Sequence, residues 1–184
     1  ERFHKYLQAF GFGQKTGIDF PGEAQGTLAS PSREAQGWLV RWANIGFGQG
    51  VSVTPIQLLT AAAAIANGGK LVKPYLVREI RKDKEVIKKF QPEVVREVLS
   101  ESTAKQLRQI LRSVVENGSG SRADLPGYSI GGKTGTGQIA EGGGYSSTKV
   151  NASFLGFGPS ETPKLLGLVV LREPQTAITY GGTL

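Results

Sequence analysis

Cysteine is absent from this chain of 184 residues, and His4 is its only histidine. The lack of cysteine excludes disulfide bonds and thiolate catalysis. A zinc site is not expected either, because zinc sites draw mainly on cysteine and histidine ligands. No apolar run approaches the roughly 20 residues that a membrane-spanning helix needs. The chain has no methionine and begins at Glu1 without a signal peptide, so both ends are expected to continue in a longer protein.

Basic residues outnumber acidic ones, and the net charge is +7. Such a balance favours anionic partners such as nucleic acid, a membrane surface or a wall polymer. Much of the positive charge lies in residues 78–89, where acidic residues are interleaved with basic ones. Mixed runs of this kind are also typical of a surface that only faces water, so both interpretations stay open. The length fits one domain or a large part of one.

Helix signals fall mainly in the first two thirds of the chain. Residues 1–10 predict the end of a helix that stops at Gly11, and the glycine-rich residues 11–38 predict loops and short strands. Residues 56–67 predict a buried helix, since Thr54 can cap it and Pro55 suits its first position. Residues 102–116 predict an amphipathic helix with its apolar side chains on one face.

Strand signals dominate the last third of the chain. Residues 129–136, 151–157 and 165–172 are joined by short connections, which predict antiparallel pairing because parallel strands need a long crossover. Residues 76–80 and 86–90 predict a separate surface hairpin around a charged turn at residues 82–84. Helices followed by a run of strands indicate the α+β class, with helices packed on an antiparallel sheet.

The densest chemical feature is residues 131–137, Gly-Gly-Lys-Thr-Gly-Thr-Gly, and one hypothesis is a nucleotide-binding P-loop. Residues 127–134 match G-x-x-x-x-G-K-[ST], a motif that binds phosphate only between a buried strand and a helix N-terminus. Here a polar turn region precedes the motif, and the glycines at 135, 137 and 142–144 disfavour a helix after it. This hypothesis requires a helix over residues 133–141.

The second hypothesis is the Lys-Thr-Gly element of β-lactamases and penicillin-binding proteins. The terminal carboxylate of a D-Ala-D-Ala peptide can be bound by a lysine charge and threonine hydroxyls. A glycine leaves room for the substrate backbone against the strand. The attacked carbonyl becomes an oxyanion, which a backbone N–H must meet. Taken alone, however, Lys-Thr-Gly also suits a plain strand edge.

The chain resembles class B penicillin-binding proteins in five blocks that occur in the family's order. Residues 11–23 resemble the segment after the family's Ser-x-Asn motif, and residues 44–58 resemble its glycine turn and buried helix. Residues 131–138 are similar to its Lys-Thr-Gly-Thr strand, residues 151–159 to the next strand, and residues 180–182 to the start of its last segment. The resemblance spans nearly the whole chain. Residues 142–146 and the strand after them resemble the division or sporulation subgroup more than the elongation one.

This resemblance implies a peptidoglycan D,D-transpeptidase with a penicillin-binding, β-lactamase-like fold. Lys133 would be the active-site cation and Thr134 a ligand of the substrate carboxylate. Thr136 would offer its N–H to the oxyanion and its hydroxyl to the substrate. The expected catalytic residues are thus Lys133 and Thr136, and the expected substrate- and β-lactam-binding residues are Lys133, Thr134, Gly135 and Thr136. The reaction is acyl transfer through a serine ester, and it implies no cofactor, nucleotide or metal.

The family's nucleophile, in Ser-x-x-Lys, and its Ser-x-Asn motif normally precede the point at which this chain begins. By this resemblance, residues 1–184 are the C-terminal portion of a single transpeptidase domain, and the chain alone is expected to be inactive. Ser-x-x-Lys does occur at Ser102–Lys105 and at Ser146–Lys149. An activated serine needs a desolvated or neutralised lysine as base, whereas Lys105 shares the polar side of a helix with other cations and Ser146 is expected in a glycine-rich loop. Both matches are interpreted as chance.

The implied partners are peptidoglycan stem peptides, β-lactam antibiotics and other cell-wall synthesis or division proteins, and no nucleic acid. The implied location is the bacterial cell envelope, at the extracytoplasmic face of the cytoplasmic membrane, with the anchor outside this chain. A D,D-carboxypeptidase, a β-lactamase or a β-lactam sensor of the same superfamily is an alternative. A P-loop nucleotide-binding or basic nucleic-acid-binding module is the alternative of a different class.

Overall fold

The computed structural model describes residues 2–28, 36–176 and 178–183. In these ranges the chain forms four α-helices, seven β-strands and one short 3-10 helix at Ser121–Ala123. The helices are α1 (Arg2–Ala9), α2 (Trp38–Gly46), α3 (Pro55–Ala66) and α4 (Glu101–Asn117). The strands are β1 (Lys70–Lys73), β2 (Glu79–Lys82), β3 (Glu85–Lys89), β4 (Glu93–Glu97), β5 (Gly131–Glu141), β6 (Gly144–Gly158) and β7 (Leu165–Arg172). The part of the predicted loop region at residues 29–35 lies outside the described residues.

The strands of the last third form one antiparallel sheet in the order β5-β6-β7, which confirms the predicted pairing and the α+β class. Lys133 on β5 lies opposite Leu155 on β6, which lies opposite Leu168 on β7. β7 has the predicted bounds. β5 begins at Gly131 rather than at residue 129, and β5 and β6 both extend beyond their predicted bounds to a tight hairpin. Gly142 and Gly143 form its turn with φ angles of 59° and 82°, a conformation that glycine adopts at no steric cost.

Both predicted long helices are present, and the observed caps explain where they begin. Thr54 and Gln57 form a capping box at the start of α3, with proline at the first helical position. Ser100 caps α4 by accepting a hydrogen bond from the N–H of Thr103 at 3.2 Å. Four residues of α3 are buried and the others are half-buried apart from Pro55, so this helix is less enclosed than its apolar composition predicts.

Two smaller antiparallel pairs, β1–β4 and β2–β3, lie outside the main sheet. The pair β2–β3 confirms the predicted hairpin, but β2 begins at Glu79 rather than at residue 76. The physical reason is Asp19, whose carboxylate accepts hydrogen bonds from the N–H groups of Leu76 and Val77 at 2.6 and 2.9 Å. Those two N–H groups are therefore not available to a strand ladder. The same bonds hold the pKa of Asp19 below its ordinary value.

The apolar core lies where α3 and α4 meet the main sheet. Small side chains let these elements approach closely, and Ala64, Ala104 and Val115 are completely inaccessible to solvent. Outside this core, Phe3 of α1 packs edge-on against Trp42 of α2 with ring centroids 6.3 Å apart. None of the helices in the described ranges has both the length and the apolar character needed to cross a bilayer.

Candidate active site

β5 is an edge strand of the main sheet, and its first half contains the Lys-Thr-Gly-Thr run. This strand continues through residues 133–141, where the P-loop hypothesis requires a helix, so that hypothesis is wrong. Its glycines have a packing function instead. A Cβ at Gly131 would lie 2.7 Å from the ring of Phe157, and a Cβ at Gly132 would lie 2.6 Å from the carbonyl oxygen of Leu155.

Lys133 is exposed on β5, and its Nζ donates a hydrogen bond to the carbonyl oxygen of Thr134 at 2.9 Å. Among the residues that the structure describes, no carboxylate forms an ion pair with it. The ammonium group thus has a neutral partner, and an anionic ligand can replace that partner with a stronger charge-assisted bond.

An apolar cavity of about 460 Å³ opens beside Lys133. Its walls come from α3, α4, the loop after α1 and one face of the sheet, and they include Phe10, Ile65, Leu111 and Leu168. A cavity of this size falls in the range that small ligands occupy.

Thr136 is exposed on the same strand, and its hydroxyl accepts a hydrogen bond from the N–H of Gly181 at 3.0 Å. This contact brings the predicted Tyr-Gly-Gly block against the Lys-Thr-Gly-Thr run, although the two are far apart in the sequence. The approach is close enough to require glycine, because a Cβ at Gly181 would lie 2.3 Å from the carbonyl oxygen of Gly135. Gly135 is tightly packed as well, since a Cβ there would lie 2.6 Å from the hydroxyl of Ser153.

Thr134 differs from Lys133 and Thr136, which are exposed, because its side chain is buried. Its hydroxyl lies 2.7 Å from the hydroxyl of Ser119, in the connection between α4 and β5. Binding of a substrate carboxylate by Thr134 therefore stays a prediction. It requires the Thr134 hydroxyl to exchange its bond to Ser119 for a bond to the carboxylate. The sequence does not indicate that Ser119 is a neighbour of the site, and the glycines on either side of it are its only local signal.

In the described residues, neither Ser-x-x-Lys match bonds its serine hydroxyl to the amine of its lysine. The hydroxyl of Ser146 instead interacts with the carboxylate of Glu141, whose pKa is lowered chiefly by Lys149, so this carboxylate is a weak base. The hydroxyl of Ser102 lies 3.0 Å from that of Ser100 in the first turn of α4. Ser146 lies on β6 rather than in a loop, which corrects the prediction, because the hairpin turn takes up only the glycines before it. The Nζ of Lys149 is 3.0 Å from Glu141, and this bond raises the pKa of Lys149. A lysine held protonated cannot serve as a general base.

Known proteins are similar to this chain in both sequence and fold. The family model of the penicillin-binding protein transpeptidase domain matches residues 1–184. Stage V sporulation protein D of Bacillus subtilis is 44% identical over 185 residues, which cover 100% of this chain and 28% of that protein. Penicillin-binding protein PbpB of Mycolicibacterium smegmatis is 35% identical over 96% of this chain and 28% of its own length. The chain thus spans less than a third of the length of these two relatives.

Solved structures agree with the sequence relatives. The apo form of penicillin-binding protein 3 from Mycobacterium tuberculosis has a TM-score of 0.85 at 32% identity, covering 96% of this chain and 41% of that one. Its complex with ampicillin has a TM-score of 0.84 at 33% identity, covering 94% and 40%. The predicted fold and the resemblance on which it was based are therefore confirmed. This chain belongs to the family of penicillin-binding protein transpeptidase domains.

Proposed function

We propose that the intact protein is a serine-type peptidoglycan D,D-transpeptidase, and that residues 1–184 are the C-terminal portion of its transpeptidase domain. The observation that carries this proposal is Lys133, an exposed cation on an edge strand that has no acidic partner among the described residues. A stem peptide that ends in D-Ala-D-Ala presents a carboxylate to such a cation. The nucleophilic serine is expected in a segment before residue 1, as the resemblance implies, because neither Ser102 nor Ser146 bonds to a lysine amine in the described residues.

Each residue of the Lys-Thr-Gly-Thr run takes a role in acyl transfer. Lys133 attracts the substrate carboxylate and supplies positive charge to the site. The hydroxyl of Thr136 accepts a bond from Gly181, which leaves its own proton free to donate to the substrate. The N–H of Thr136 stabilises the oxyanion. Thr134 becomes a further carboxylate ligand after exchanging its bond to Ser119, and Gly135 keeps the strand clear of a side chain where the substrate backbone lies.

The reaction then proceeds in two acyl transfers. The serine attacks the carbonyl between the two terminal D-Ala residues, forms an ester and releases the last D-Ala. An amine of a neighbouring stem peptide attacks that ester, so an amide cross-link forms and the serine is regenerated. A β-lactam enters the first step and remains on the serine as a stable ester. The complexes of Mycobacterium tuberculosis penicillin-binding protein 3 with aztreonam and with ampicillin support this class of inhibitor.

The role within the family is proposed to be division or sporulation rather than elongation. Stage V sporulation protein D matches at 44% identity, and residues 142–146 with the strand after them resemble the division or sporulation subgroup. The reaction requires access to wall peptides. The protein therefore acts at the extracytoplasmic face of the cytoplasmic membrane, anchored by a segment outside this chain, together with other cell-wall synthesis or division proteins.

The test is labelling of the full-length protein with a fluorescent penicillin, followed by mapping of the adduct. We expect one adduct, on a Ser-x-x-Lys serine that precedes residue 1. Incubation with a stem pentapeptide and an amine acceptor should then give a cross-linked product together with free D-Ala. Release of D-Ala without cross-linking would indicate a carboxypeptidase. Rapid hydrolysis of the penicillin would indicate a β-lactamase, and an absence of labelling would refute the proposal.

A further inference from the structure

Arg112 of α4 connects three parts of the chain next to the strand that carries Lys133. Its Nη1 donates to the carbonyl oxygen of Ile130 and to the carboxylate of Asp124, both at 2.9 Å. Its Nε lies 2.9 Å from the carboxylate of Glu116, one turn further along the same helix. The side chain of Arg112 is 20% exposed, whereas those of Glu116 and Asp124 are 45% and 42% exposed, so the bond to the Ile130 carbonyl is the most shielded of the three. One guanidinium group thus ties α4 to the α4–β5 connection and to the residue before β5.

The bond to Ile130 lies at the point where β5 begins. Gly131 is the first residue of the strand, and a Cβ there would lie 3.4 Å from the backbone nitrogen of Arg112 and 2.7 Å from the ring of Phe157. The start of β5 therefore rests directly on the backbone of α4, and the side chain of the same helical residue binds the carbonyl just before it. Both contacts fix the position of the start of β5 relative to α4.

The position of the Lys133 ammonium depends on this strand. Its one hydrogen bond within the described part of the chain runs to the carbonyl oxygen of Thr134, on the same strand. No side chain of another element in the described ranges bonds to it, so a displacement of the β5 backbone displaces the ammonium group as well. Misplacement of a reacting group by about 1 Å can cost about a hundredfold in rate.

We propose that Arg112 is a positioning residue for acylation, which sets the placement of β5 and thereby of Lys133 and Thr136. The inference rests on the proposed transpeptidase function. Arg112 does not contact the substrate. Its contribution is the bond from its guanidinium to the Ile130 carbonyl, with Asp124 and Glu116 keeping the guanidinium in the required orientation.

Arg108 supplies a matched control for this proposal. It lies one turn before Arg112 on α4, and its Nη1 also donates to a backbone carbonyl, that of Ile65 at 3.1 Å. Ile65 belongs to α3, however, so this bond ties α4 to another helix and not to β5. Loss of either bond weakens the packing of α4, but only the loss at Arg112 releases the strand.

The experiment measures penicillin acylation of the full-length protein carrying Arg112→Met, Arg112→Lys or Arg108→Met, with melting temperatures alongside. Time courses over a range of penicillin concentrations separate the binding step from the first-order acylation step. We expect Arg112→Met to slow the first-order step about tenfold to a hundredfold, and Arg108→Met to leave it unchanged at a comparable loss of melting temperature. Arg112→Lys keeps the charge but lacks the two-nitrogen fork, so it should stay folded and acylate at an intermediate rate.

The outcomes separate the two proposals. If the wild-type protein is not acylated, the proposed function fails. If it is acylated and Arg112→Met acylates like Arg108→Met, Arg112 only stabilises the fold and the inference is overturned. Should Arg112→Met fail to fold, Arg112→Lys decides, and a wild-type rate in that variant overturns the inference as well.

Discussion

Lys133 and Thr134 are adjacent in the sequence but differ in how readily they can meet a ligand. The ammonium of Lys133 is exposed and has a neutral carbonyl as partner, so exchange of that partner for a carboxylate gains a charge-assisted bond. The hydroxyl of Thr134 is buried against Ser119, and its release would leave the hydroxyl of Ser119 without this partner. A ligand carboxylate is therefore expected to engage Lys133 first.

Substitution of Lys133 by alanine in the full-length protein should slow acylation by a penicillin. A hydrogen bond to a charged group contributes about 1.5–3 kcal/mol net. Its loss corresponds to about a 10-fold to 150-fold lower second-order acylation rate constant. The melting temperature should stay close to that of the wild type, because an exposed lysine on an edge strand is rarely a determinant of the core.

Lys105→Ala is the control for this measurement. Lys105 is an exposed cation of α4 that forms no ion pair among the described residues, and it belongs to the first Ser-x-x-Lys match. Its loss should not change the acylation rate. If Lys133→Ala acylates within about twofold of wild type, Lys133 does not belong to the active site.

Among the structural elements, the β2–β3 hairpin follows a segment whose backbone is bound by a carboxylate of the loop after α1. Asp19 accepts hydrogen bonds from the N–H groups of Leu76 and Val77, and these bonds lower its pKa. A group whose pKa is lower in the folded state contributes stability above its unfolded pKa of about 3.9, and this contribution is lost as the pH falls through the folded value.

Asp19→Asn should therefore lower the melting temperature of the full-length protein at neutral pH. The difference from wild type should shrink as the pH falls below about 4, where the wild-type carboxylate also becomes protonated. The amides of Leu76 and Val77 should exchange with solvent faster in the variant at pH 7. Asp83→Asn, in the turn of the same hairpin, is the control and should change neither quantity. Equal melting temperatures of wild type and Asp19→Asn at pH 7 would contradict the prediction.

The elements that sequence analysis predicted are those whose signals are local. α3 and α4 both have cap residues; α3 is apolar almost all round, and α4 has its apolar side chains on one face. The three strands of the main sheet have short connections. α2 was not predicted, because it has only nine residues and its N-cap, Gly37, forms no side-chain bond. The pair β1–β4 was missed because β1 has four residues and every residue of β4 is exposed, so β4 shows no alternation between buried and exposed positions.

At the candidate site as well, the sequence predicts what depends on local signals and misses what depends on long-range packing. The motif located Lys133, Gly135 and Thr136 on one strand, because their spacing is a property of consecutive residues. The contacts of Arg112 and Ser119 with β5 and its entry arise only when α4 packs on the sheet. On the sequence, Arg112 is one of several cations on the polar side of a helix, and nothing distinguishes it from Arg108.

For the whole molecule, the structure predicts that neither Ser102 nor Ser146 is the nucleophile. Full-length protein carrying Ser102→Ala or Ser146→Ala should be labelled by a fluorescent penicillin as fast as the wild type, since neither hydroxyl bonds to a lysine amine in the described residues. Alanine in place of the serine outside this chain should abolish labelling. Loss of the adduct in either of the first two variants would assign the nucleophile to these residues.

The open edge of β5 has a consequence beyond recognition of a stem peptide. An unpaired strand edge is also a template on which a second protein chain can add a strand, which leads to aggregation. Here the edge contains an exposed lysine, several glycines and two threonines in place of large apolar side chains. Charge and glycine make the edge a poor partner for another strand. The residues that favour a small anionic peptide thus also protect the protein from association with its own copies.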